Sequence, residues 1–166
     1  MTRYALLLFA ILQGAHANGT SDELAALLAN QHTAVATEAV SATPAAIKNL
    51  QANYYLLLVY KGSCPHCHNL APVLKDFAST FHLDVMAYSL DDQPLAEFKG
   101  QPLTADLFNA LFITGGYKPQ VPALFLVNRH TLDAYAVLFG EAQDYQLARR
   151  IDELMSHIEE KYHASR

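Results

Sequence analysis

The sequence predicts an α/β domain, with a central mixed sheet flanked by helices and a short helical N-terminal extension in front. Three observations predict it. Tyr54 to Tyr60 is an apolar run without alternation, the pattern of a strand buried on both faces. Leu70, Val73, Leu74, Phe77 and Phe81 then repeat at the helical period. Farther on, Val121–Asn128 and Leu132–Phe139 read as two strands around a short turn, followed by a second long helical pattern. A βαβ start, a hairpin and a closing helix make a mixed sheet with helices on both faces.

The chain has 166 residues, 52% hydrophobic and 16% charged, which suits one compact domain with an extra segment. Lys and Arg number 11 against 16 Asp and Glu, a formal net charge of −5. No basic stripe is available, so a nucleic-acid partner is not expected. The two cysteines exclude a framework of structural disulfides and a four-cysteine zinc site.

Residues 1–17 read as an export signal. Arg3 supplies the positive start, Tyr4 to Leu12 is uncharged, and Ala15-His16-Ala17 is the small-x-small pattern cleaved after Ala17. The apolar run is too short to span a bilayer. Residues 18–53 form a helical lead segment. Thr20-Ser21-Asp22-Glu23 is a capping box, and Thr43-Pro44 is a second helix start with Pro in the first turn. The strand Tyr54–Tyr60 ends in the turn Lys61-Gly62-Ser63, and a helix begins at Cys64. Asp84 to Leu90 is the next strand, and Asp91 to Pro102 a loop. Thr104 caps a helix carrying Leu107, Leu111 and Phe112, which stops at Gly115-Gly116. Gly140 breaks the last strand. The closing helix, Asp144 to about Tyr162, carries Leu147, Ile151, Leu154 and Ile158.

Both cysteines lie in Cys64-Pro65-His66-Cys67. Three-residue spacing on a helix brings two Cα atoms to the separation a disulfide requires. So small a loop constrains the unfolded chain little. A bond that stabilises little is better explained as one that opens and closes. Cys64 sits at the helix start, where unpaired N–H groups and the dipole favour a thiolate. His66 adds a second donor beside it. Cys64 is therefore the expected nucleophile. Cys67, one turn inside, is the expected resolving thiol, and the two form a redox-active disulfide. Electrons travel through the sulfurs, so no bound cofactor is expected.

Two other chemistries use the same residues. Cys64-Pro65-His66-Cys67-His68 also fits the c-type haem attachment pattern, with His68 as axial ligand and Met86 or Met155 opposite. The strand before the motif and the α/β pattern after it argue against that. His32, His82, His130, His157 and His163 are scattered without ligand spacing, so no metal site is expected.

From Tyr54 to about Tyr162 the chain resembles the thioredoxin-fold oxidoreductases. Four features in order carry the resemblance: strand-turn-Cys-x-x-Cys-helix, Pro72 after Cys67, Val121-Pro122 opening a strand, and Gly140 at the corner before the closing helix. It implies a thioredoxin-like domain over 54–166 and a cis Val121–Pro122 bond. It also implies a substrate-binding edge of Pro65, Val121 and Pro122, where a substrate peptide pairs with the backbone beside Cys64. Cys-Pro-His-Cys with Val before the Pro is similar to the DsbA dithiol oxidases, whose larger helical insertion is missing here. Size, export signal, Lys61–His68, Tyr88-Ser89-Leu90-Asp91 and Phe125–Leu132 resemble the TrbB family of F-type conjugative transfer systems. That family implies a periplasmic thiol-disulfide isomerase serving pilus and transfer-complex proteins. Its partners would be exported cysteine-containing proteins and a membrane redox partner of the DsbB or DsbD kind. Two departures stand out. Leu58 occupies the position, six residues before Cys64, where many thioredoxin-fold enzymes carry a buried acid, so no internal base is assigned. Val121 replaces the Thr of TrbB-type proteins, which keeps an oxidase role open beside isomerisation.

Overall fold

The computed structural model describes residues 50–164. The export signal and nearly all of the lead segment lie outside the described residues. Residues 50–53 are helical, and Leu50 is buried. Strand β1, Tyr54–Tyr60, leads to helix α1, Pro65–Phe81. Strand β2, Val85–Ser89, and the short β3, Gln101–Pro102, follow. Helix α2, Ala105–Phe108, runs into a π-helical turn at Asn109–Thr114. Strands β4, Ala123–Asn128, and β5, Ala134–Phe139, precede helix α3, Asp144–Ala164. No helix among the described residues is long and apolar enough to cross a membrane.

The sheet order is β3-β2-β1-β4-β5. β1 is parallel to β2 and antiparallel to β4, and β4 is antiparallel to β5. A βαβ unit joined to an antiparallel hairpin around one mixed sheet is the thioredoxin-like fold. The unalternating apolar run of β1 has a simple cause. Leu56, Leu58 and Tyr60 enter one core cluster, with Leu70, Leu74, Phe77, Leu147 and Ile151 of the long helices. Leu57 and Val59 enter the cluster on the other face, with Leu111, Phe112 and Phe125. Both faces are covered, so both must be apolar.

The differences from the sequence expectation have local causes. The stretch expected as loop, Asp91–Pro102, contains β3. Gln101 and Pro102 pair with Tyr88 and Ser89 at the sheet edge, where a proline is tolerated. The helix after Thr104 starts as expected, with the Leu107 N–H donating to Thr104 Oγ1 at 3.2 Å. It then widens to π geometry, which buries Leu111 and Phe112. β5 begins at Ala134 rather than Leu132. Asn128 Oδ1 accepts the N–H groups of His130 and Thr131, and Leu132 takes a left-handed φ of 61°. β4 begins at Ala123, after a cis Val121–Pro122 bond, so that expected bond is present.

Candidate active site

β1 delivers the chain to the Lys61–Ser63 turn and then to the start of α1. Cys64 is the N-cap residue, in extended conformation, and Pro65 opens the helix, where its missing N–H costs nothing. The Cys67 N–H donates to the Cys64 carbonyl at 3.0 Å, so the two cysteines are one helical turn apart. Both are free thiols. Cys64 is partly exposed, while Cys67 is buried at 1% exposure. Burial pushes the Cys67 thiol up to about 12. The neighbouring Cys64 sulfur and the Asp91 carboxylate add to the rise, against a hydrogen bond from the Lys61 backbone. One sulfur is thus presented to solvent at a helix mouth, and the second is held protonated behind it.

Two carboxylates that the sequence reading did not single out fix this arrangement. Asp91 leaves the end of β2 and accepts from Gly62 N–H at 2.9 Å, Ser63 N–H at 3.0 Å, Ser63 Oγ at 2.8 Å and Ser89 Oγ at 3.0 Å. Partial desolvation works to raise its pKa, but these donors outweigh it and hold the carboxyl well below the usual carboxylate range. The turn before Cys64 is pinned to a charged acceptor. Its Gly62 is required by close approach, since a Cβ there would lie 2.4 Å from the Gln93 Cβ. The sequence signal was a Ser and an Asp two residues apart at a strand exit, a pair suited to turning the chain through side-chain hydrogen bonds.

Glu141 arrives from the exit of β5, the edge strand beyond β4. It follows Gly140, which adopts φ 99° and donates its N–H to the Pro122 carbonyl at 2.8 Å. Its Oε1 pairs with His66 Nδ1 and accepts from Asn69 Nδ2 at 3.0 Å. The hydrogen bonds from His66 and Asn69 lower the Glu141 pKa. No local sequence pattern points to Glu141. Its place comes from the β4–β5 register, which sets Phe139 beside Ala123.

The expected site residues fall at one end of the sheet. Val59 of β1 pairs with Ala123 of β4, so Val121 and Pro122 lie at the same end as the Lys61–Cys64 turn. Cys64 and Val121 are both partly buried against the core cluster that contains Cys67. His66 is exposed and engaged with Glu141. His68 Nε2 donates to the Gly62 carbonyl at 2.7 Å, which occupies the nitrogen a c-type haem would need as ligand. Leu58 is fully enclosed among apolar side chains.

Comparisons with known proteins bear on this site. The family described as TraF, F plasmid transfer operon protein, matches residues 27–152. Protein TrbB of Escherichia coli (strain K12) is 31% identical over 105 residues, which make up 63% of this chain and 57% of that relative. The chain therefore spans little more than half the length of that relative. Two solved structures also match. One is a thiol:disulfide interchange protein of the thioredoxin family from Chlorobium tepidum TLS, with TM-score 0.48 and 14% identity over 65% of this chain and 83% of the other. The second is MTB DsbF in mixed oxidized and reduced forms, with TM-score 0.40 and 21% identity over 64% and 84%.

Proposed function

Because this chain belongs to the TraF family of F plasmid transfer operon proteins, and its two cysteines sit at a helix mouth, we propose that it is a thiol-disulfide oxidoreductase. The observation that carries the reading is the asymmetry of the pair: Cys64 partly exposed at the N-cap, Cys67 buried one turn behind it with a thiol pushed up to about 12. Cys64 as thiolate attacks a substrate disulfide. A bond forms between Cys64 and one substrate sulfur, and the other substrate sulfur leaves as a thiolate. Cys67 then gives up its proton to solvent and attacks the Cys64 sulfur. The second substrate thiolate leaves, and the Cys64–Cys67 disulfide remains. Run backwards, the same steps oxidise a substrate dithiol. Cys67 is protonated at neutral pH, so it holds back until the mixed disulfide has consumed the Cys64 charge that helps keep it protonated.

In this reading His66 and the helix N-terminus favour the Cys64 thiolate, and Pro65, Val121 and Pro122 form the edge that receives the substrate chain. The domain runs over 54–166, behind a signal peptide cleaved after Ala17 and a helical lead. The protein works in the periplasm on exported cysteine-containing proteins, conjugative transfer proteins among them. A membrane partner of the DsbB or DsbD kind resets the pair. Both isomerase and oxidase roles use the same two sulfurs. The test is trapping. Cys67→Ser should accumulate mixed disulfides with periplasmic proteins, and Cys64→Ser should abolish both trapping and insulin reduction. Full activity in Cys64→Ser would overturn the reading.

A further inference from the structure

Resting on that reading of the pair, we propose that Glu141 is a positioning residue that holds the His66 imidazole and thereby restrains the oxidising power of Cys64–Cys67. The observation is the contact itself. His66 Nδ1, the ring nitrogen nearest its own backbone, is committed to Glu141 Oε1, and Asn69 Nδ2 holds the same oxygen at 3.0 Å. Three features fix Glu141 in place: these two donors, and the Gly140 N–H bonded to the Pro122 carbonyl at the corner before it. Of these, only His66 belongs to the Cys-Pro-His-Cys motif.

The sign follows in either state of the ring. With a neutral ring, Nδ1 is already engaged and the carboxylate leaves a net negative charge beside the site. With a cationic ring, the two charges sum to zero, and the side of the ring nearest the backbone faces Glu141. Both cases favour a thiolate at Cys64 less than an untethered His66 would. The reduced form is the one that carries the thiolate, so weakening it makes the disulfide a poorer oxidant. Glu141 shifts a motif of oxidase type toward exchange and isomerisation. The size is bounded by exposure. The His66 and Glu141 side chains are 70% and 42% exposed, and solvent-screened pairs of this kind change an equilibrium by about two- to fivefold.

The experiment equilibrates full-length protein with reduced and oxidised glutathione, where one protein disulfide and two glutathione thiols exchange for a protein dithiol and one glutathione disulfide. Glu141→Ala should favour the reduced protein by up to about fivefold, which is about 20 mV toward a more oxidising potential. Glu141→Gln, which removes the charge and keeps an acceptor, should move the same way by less. In a His66→Ala background the Glu141→Ala effect should fall below about twofold. Cys64 alkylation at neutral pH reads the thiolate without requiring exchange, and it should quicken in Glu141→Ala. An unchanged or less oxidising equilibrium, or an undiminished effect without His66, overturns the proposal. If wild-type protein fails to equilibrate with glutathione, the oxidoreductase reading fails; the alkylation rates then decide the Glu141 proposal separately.

Discussion

Replacing Leu58 with alanine tests whether the centre of β1 is a packing position or a proton-handling one. Leu58 is 1% exposed, with Ala87 of β2 and Leu124 of β4 as its flanking register partners. Its side chain lies in the cluster with Leu70, Leu74 and Cys67. Leu→Ala changes in cores cost about 2–5 kcal/mol, the higher values where neighbours cannot collapse into the space. Two paired strands hold the backbone on both sides, so about 3–4 kcal/mol is expected here. For a domain of this size that lowers the melting temperature by roughly 10–15 °C. Urea unfolding of the reduced protein should show a lower midpoint at constant slope. An alkyl side chain moves no proton, so the glutathione equilibrium of the folded variant should stay within about twofold of wild type. A loss under about 1 kcal/mol would refute the packing argument. Leu58→Asp should cost more, because a carboxyl there is buried without a hydrogen-bond partner.

Other consequences concern pH and the turn before Cys64. The Cys67 thiol is raised from 9.0 to about 12 in the fold, so its contribution to the stability of the reduced form is complete below about pH 9 and is lost as pH rises toward 12. Thermal unfolding of reduced and oxidised protein across that range should show the reduced form losing ground. A constant difference would contradict the burial of Cys67. Asp91→Ala removes the acceptor of five hydrogen bonds, so amide exchange at Gly62 and Ser63 should quicken, by roughly tenfold or more. The same change should lower the Cys67 pKa by deleting a nearby negative charge, which the thiolate absorbance of Cys64→Ser/Asp91→Ala against Cys64→Ser would show. The Asp91 and Glu141 pKa values are both depressed, so the stability they contribute is present above the ordinary carboxylate range and is lost as pH falls through it. Acid titration of the turn amides should follow that direction.

Much of the fold could be read from sequence because its signals are local. The buried run of β1, the helical period from Leu70 to Phe81 and the capping Thr104 each state their element within a few residues. The cysteine pair and its place at a helix start were legible for the same reason. What sequence did not show depends on contacts between distant segments. β3 is two residues long and exists only through pairing with Tyr88 and Ser89. The π-helical turn answers to where Leu111 and Phe112 must pack. Asp91 and Glu141 belong to the site because sheet register carries the exits of β2 and β5 to the mouth of α1. At 28 and 75 residues from their partners Ser63 and His66, neither follows from motif spacing.

In the reduced protein one sulfur is presented and the other withheld. Brief alkylation of native, fully reduced protein at neutral pH, followed by mass mapping of each cysteine, measures this directly. Rapid labelling is expected at Cys64, with Cys67 protected until the chain is unfolded. Equal labelling of the two, or faster labelling of Cys67, would contradict it.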